Sequence, residues 1–173
     1  IKGVKSAYRS SSKDALNIGT ITHDWVEGAI KWKLNGGEMP KMPKQEEAQN
    51  SISAFRKWIA ANNVEWLSSE EKVYNRKDGY AGTLDARAHI NGEYCVIDWK
   101  TSKAIYPEYH LQVAAYAKAV EDMHGKPVDA TYILRCDKAS GRFEACRSTD
   151  IDKDYQAFLA ALILYRRLKE IGR

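Results

Sequence analysis

The chain has 173 residues, enough to bury one hydrophobic core without disulfide or metal staples. Hydrophobic residues make up 44% and charged residues 29%, with a mean hydropathy of -0.55. No run approaches the ~20 apolar residues of a membrane span, so this composition excludes membrane-spanning helices and long disordered tails. Lys and Arg total 27 against 23 Asp and Glu, a net charge of +4, which permits a polyanionic partner without requiring one.

The chain opens on Ile1 without an initiator Met, and residues 1–13 are basic and serine-rich. They hold no apolar stretch followed by a small-residue cleavage site, so no export signal is expected. Ile21, Trp25, Ala29 and Trp32 recur at helical spacing and predict a helix from about Asp14 to Leu34, closed by Gly36-Gly37. Two glycines and two prolines between Gly36 and Pro43 read as a loop, and helical periodicity returns from Ser51.

From Val64 the texture changes to alternating β-branched, aromatic and polar residues, which predicts three strands: one through Glu71–Arg76, then Tyr80–Ile90 and Tyr94–Lys100. Asn91-Gly92 at the centre of a two-residue loop predicts a type I′ hairpin between the last two. Pro107 at a first helical turn and Gly125 past the last one bracket a helix of about four turns. Two strands, Val128–Cys136 and Arg142–Arg147, and a terminal helix, Asp152–Ile171, complete an ααβββαββα order. One domain is expected over 1–173, with a helical part at about 14–63 and an αβββαβ-type core at about 64–173.

The Asn-Gly turn sets a register in which Ile90 faces Glu93, Ala86 faces Ile97, and Asp85 lies opposite Asp98. Two carboxylates meeting across one ladder repel each other unless something positive lies between them, and a divalent cation is the natural resolution. Alternation puts Lys100 on the face of Asp98 and sends Leu84, Ala86, Ala88, Ile90, Cys95, Ile97 and Trp99 to an apolar opposite face. Carboxylates with a neighbouring ammonium suit metal-assisted phosphodiester hydrolysis; a surface Asp-Lys ion pair is the plain alternative for the same spacing.

Gly82-Thr-Leu-Asp85, Ile97-Asp98-Trp99-Lys100-Thr-Ser102 and Gln112-Val-Ala-Ala-Tyr116, preceded by His23 in Gly19-Thr-Ile-Thr-His23, resemble the ordered motifs of the RecB-like exonuclease branch of the PD-(D/E)XK nuclease superfamily. The resemblance covers about Gly19 to Val120. It implies an α/β fold with a restriction-endonuclease-like core, in which a mixed central sheet is flanked by helices under an α-helical N-terminal layer. It further implies metal ligation by His23, Asp85, Asp98 and the Trp99 backbone carbonyl, with Lys100 as the catalytic lysine. Gln112 and Tyr116 would face the site and orient substrate or Lys100; their spacing of four independently puts them on one helix face. Glu71 resembles the acidic residue of the preceding strand and is preferred over the adjacent Glu70 because it shares strand parity with Val73.

The implied activity is an Mg²⁺- or Mn²⁺-dependent deoxyribonuclease acting on DNA, as an exonuclease in phage or mobile-element recombination or repair. The alternatives are a structure-selective or restriction-like endonuclease and a catalytically idle DNA-binding module. Cys95, Cys136 and Cys146 are too few and too far apart for an iron-sulfur cluster, and no Walker A sequence supplies an ATP site. A reducing cytoplasmic setting, bacterial or phage-infected, is expected, with no membrane partner. A homo-oligomer or a separate recombination protein is left open as a partner. The Trp25/Trp32 pair is expected in the core, the Arg166-Arg167-Leu-Lys169 end in solvent, and Ser10-Ser-Ser12 lacks any hydrolase context.

Overall fold

A computed structural model describes the backbone of residues 2–172 and the side chains of residues 17–172. Nine elements follow the expected order: α1 (Lys2–Asn35), α2 (Glu46–Ala60), β1 (Val64–Asn75), β2 (Tyr80–Ile90), β3 (Glu93–Lys100), α3 (Pro107–His124), β4 (Ala130–Cys136), β5 (Phe143–Ser148) and α4 (Ile151–Ile171). The first two helices start earlier than the apolar periodicity implied. Helix α1 runs through the serine-rich lead-in, whose side chains, Ser10 to Ser12 among them, lie outside the described residues.

The punctuation acts as its chemistry requires. Asn91 and Gly92 both take positive φ, 53° and 92°, the requirement of a type I′ turn. The β2–β3 ladder pairs Ile90 with Glu93 through to Ala86 with Ile97, which is the expected register. Pro107 opens α3, and Gly125, in the left-handed region at φ 64°, closes it by donating its N–H to the Glu121 carbonyl.

The five strands form one sheet in the order β1-β2-β3-β4-β5, antiparallel except for the parallel β3–β4 pair. A parallel pair needs a long crossover, and α3 supplies it. The sheet is therefore covered on both faces. Trp25, Val26 and Ile30 of α1 and Ile52, Phe55 and Trp58 of α2 pack on Ala86, Ala88, Ile90, Cys95, Ile97 and Trp99. Ala114, Ala117 and Val120 of α3 and Ile151 and Tyr155 of α4 pack on Val73, Leu84, Tyr94 and Val96. No described helix is long and apolar enough to cross a membrane.

Two expectations need correction. Leu84 lies in the α3-side cluster, not with Ala86 two residues on, so the face alternation of β2 breaks at Asp85. Trp32 is 40% exposed, whereas its helix neighbour Trp25 is buried. The Arg166-Arg167-Leu-Lys169 end is exposed as expected, and the Arg166 guanidinium also donates to the carbonyls of Asp78 and Gly79, which pins the β1–β2 turn to α4.

Candidate metal centre

The centre forms where the β2–β3 ladder ends. Beyond the Ala86–Ile97 pair, β3 continues alongside β4, and Asp98, Trp99 and Lys100 pair with Ile133, Leu134 and Arg135. Asp85 makes no further backbone pair with β3. Instead its Oδ2 accepts a 2.8 Å hydrogen bond from the Trp99 backbone N–H. The carboxylate thus takes the place of a main-chain acceptor and is fixed between the strands.

On β1, opposite the break in β2, Glu70 takes φ 52°, a left-handed value that costs a non-glycine residue about 1–3 kcal/mol and persists only where the surroundings enforce it. The consequence is positional. One ligand atom each from His23, Glu70 and Asp85 lie within 4.8 Å of one another, and His23 Nδ1 is 3.8 Å from Asp85 Oδ1. Glu70, and not Glu71, is the β1 carboxylate of this group. Glu71 is engaged elsewhere, 2.6 Å from Arg87 Nε and 2.8 Å from His124 Nε2.

His23 reaches the sheet because α1 lies close to the chain leaving β3. Gly19, one turn earlier on α1, is placed so that a Cβ would stand 3.1 Å from Thr101 Oγ1. The His23 ring packs 5.9 Å from that of Trp99.

Asp98 is 2% exposed, and Lys100 Nζ lies 2.7 Å from its Oδ2 as an ion pair without the alignment of a hydrogen bond. Lys100 is held from two further sides. Its ammonium donates to Gln112 Oε1 at 3.0 Å, and Gln112 Nε2 donates in turn to the Tyr116 hydroxyl at 3.0 Å. The ammonium also stands 4.7 Å over the ring centre of Tyr109, a cation–π contact. From the sequence, Tyr109, like Tyr106, reads as a packing residue or a stacking platform for an unpaired base near the site, and its contact with Lys100 is what sequence reasoning missed. Its signal was present, since residues 109, 112 and 116 share one face of α3 at spacings of three and four.

The glycine of Gly82-Thr-Leu-Asp85 has a steric cause: a Cβ there would lie 2.7 Å from Tyr116 Cε1. Close approach of the Tyr116 ring to the β2 backbone is possible only with no side chain in between.

The electrostatics are those of carboxylates short of positive charge. Burial, and then the neighbouring Asp98, push the Asp85 pKa well above the ordinary carboxylate value. Burial also raises Asp98, against the opposing pull of Lys100. Glu70 is raised by burial and by Glu27. His23 is lowered by burial and by Lys100, which favours the neutral imidazole that a metal requires. Burial pushes Glu71 up as well, but the nearby Ser68 hydroxyl and the hydrogen bonds with Arg87 and His124 outweigh it and lower its pKa. Carboxyl groups driven towards protonation by burial and mutual repulsion, beside a neutral imidazole, make a donor set that a hard divalent cation fits.

The sequence-derived residues thus fall into two neighbouring groups: His23 and Asp85 with Glu70, and Asp98 and Lys100 with Gln112 and Tyr116. The Trp99 main chain joins them, since its N–H binds Asp85 and the residue lies between Asp98 and Lys100. No known protein-family model matches the chain, and no curated protein matches it.

Proposed function

We propose that the protein is an Mg²⁺- or Mn²⁺-dependent DNA exonuclease with a PD-(D/E)XK core of the RecB-like type. The observation that carries this reading is the convergence of His23, Glu70 and Asp85 within 4.8 Å beside the buried Asp98–Lys100 pair. The mixed sheet, with the acidic residues at its β2–β3 junction, is compatible with that core.

In this reading His23, Glu70, Asp85 and Asp98 hold the cation, together with the Trp99 carbonyl. The bound ion supplies Lewis acidity at a phosphoryl oxygen and lowers the pKa of water. Lys100, held by Asp98, Gln112 and the Tyr109 ring, keeps its ammonium beside the carboxylates, where it orients the attacking water and offsets charge developing on the phosphoryl group. Tyr116 acts one bond further back, fixing the Gln112 amide so that its oxygen faces Lys100. Gln112 and Tyr116 are positioning residues, because their hydrogen bonds end on Lys100 rather than at the reacting centre.

The test is degradation of end-labelled linear DNA and covalently closed DNA in Mg²⁺, Mn²⁺ or EDTA, with wild type, Asp98→Asn and Lys100→Ala. Metal-dependent loss of the linear form alone, abolished by both substitutions, is the expected result. Cutting of the closed circle would replace the exonuclease by an endonuclease, and the absence of cleavage with every metal would overturn the catalytic reading.

A further inference from the structure

An apolar pocket of about 270 Å³ opens between α1, α2 and β1, close to the lower end of the size range of small-molecule sites. Trp25, Trp32, Phe55 and Trp66 supply its aromatic walls, and Lys33 and Arg56 stand in its lining. Both cations are exposed and have neither an ion pair nor a hydrogen bond among the described residues. Trp32 leaves 40% of its surface open to solvent, a large apolar area to hold at a pocket mouth.

The pocket wall is linked to the metal centre by packed rings. Phe55 stacks on Trp66 at 6.1 Å and meets Trp99 edge-on at 5.9 Å, and Trp99 in turn packs on His23 at 5.9 Å. Along β1, Trp66 and Glu70 are four residues apart, roughly 13 Å at the usual strand rise. Along α1, His23 and Lys33 span ten residues, about 15 Å. The pocket and the carboxylates therefore lie along the same two packed elements, α1 and β1.

Indole and phenyl walls recognise a flat π-face, and uncompensated cations beside them recognise an anion attached to it. A nucleotide carries both, and its base is free to enter only when unpaired. We propose that this pocket is a capture site for an unpaired nucleobase, with Lys33 and Arg56 holding its flanking phosphates. The site would place DNA with a single-stranded or frayed segment across the metal centre. The inference rests on the nuclease reading for its substrate class, and it tells which form of DNA the protein prefers.

The experiment is an anisotropy titration in EDTA, where no cleavage occurs, using a labelled oligodeoxythymidylate of about eight nucleotides and an abasic strand of equal length and charge. Wild type is expected to bind the base-bearing strand about tenfold more tightly than the abasic one. Trp32→Ala should remove that preference, whereas Arg56→Ala should weaken both strands alike, since phosphate contacts are blind to the base. Thermal melting by circular dichroism establishes that each variant is folded. Equal binding of both strands by wild type, or an unchanged preference in folded Trp32→Ala, would overturn the base site. Cleavage of DNA in Mg²⁺ alongside such a result would leave the nuclease reading standing. A base preference lost in Trp32→Ala, in a protein that cuts nothing, would uphold the site and remove the nuclease.

Discussion

The Trp99 backbone N–H donates to Asp85 Oδ2 at 2.8 Å, just beyond the last Ala86–Ile97 pair of the ladder. One carboxylate oxygen is therefore structural, and the other faces His23. Asp85→Asn keeps an acceptor for the amide, whereas Asp85→Ala leaves a buried N–H unpaired, at about 1–3 kcal/mol. The expected outcome is a stable but metal-blind Asn variant and an Ala variant that is also less stable. Calorimetric Mn²⁺ titration and chemical denaturation separate the two effects.

The raised pKa of Asp85 carries a pH signature. A carboxyl whose folded pKa lies above its unfolded value binds more protons in the native state, so its contribution to stability falls as pH rises from near the ordinary value of 3.8 through the folded pKa. His23, whose folded pKa is lowered, acts in the opposite sense below its ordinary 6.5. The contribution of Asp85 is thus read as a difference: in EDTA, Asp85→Asn should gain stability over wild type progressively as pH rises above about 4. Saturating Mn²⁺ should cancel that gain at neutral pH by stabilising wild type alone. Melting curves at stepped pH check both, and parallel curves for the two proteins would refute the assignment.

Glu70 and Glu71 make opposite predictions. Glu70→Gln should weaken Mn²⁺ binding and leave the fold intact, because among the described residues no hydrogen bond or ion pair holds its side chain. Glu71→Gln should cost stability and leave metal affinity in place, because it removes the charge that holds Arg87 and His124. That stability is present above the usual carboxylate range and is lost as pH falls through the lowered Glu71 pKa. Metal titration and denaturation of the same two proteins decide the matter.

Gln112→Leu should lower kcat by about ten- to a hundredfold, the worth of one hydrogen bond to a charged group, with little change in KM. Tyr116→Phe removes only the outer contact and should have a smaller effect in the same direction. Steady-state hydrolysis of linear DNA tests both, and a rise in KM at constant kcat would assign Gln112 to substrate binding instead.

Gly82→Ala forces a methyl against the Tyr116 ring at 2.7 Å and should destabilise the fold by about 1–3 kcal/mol. Adding Tyr116→Ala should restore part of that loss, because the obstacle is a single ring. A double-mutant cycle in urea measures the coupling, and strict additivity would show that the ring is not the obstacle.

Local chemistry carried much of this protein. Asn91-Gly92 determined the β2–β3 register, because two positive φ values at a two-residue turn admit one pairing. Pro107 and Gly125 determined the limits of α3, and spacings of three and four along that helix already aligned Tyr109, Gln112 and Tyr116. What only the tertiary structure decided lies where that periodicity fails. Strand parity selected Glu71 and put Leu84 with Ala86, but the left-handed Glu70 and the break at Asp85 reassign both. The approach of His23 to Asp85 and the aromatic pocket join segments far apart in the chain, and the cation–π contact of Lys100 depends on how α3 turns back onto β3. Neighbouring residues determine a turn or a helix face through short-range sterics, whereas a ligand group depends on how separate elements are brought together by packing on both faces of the sheet.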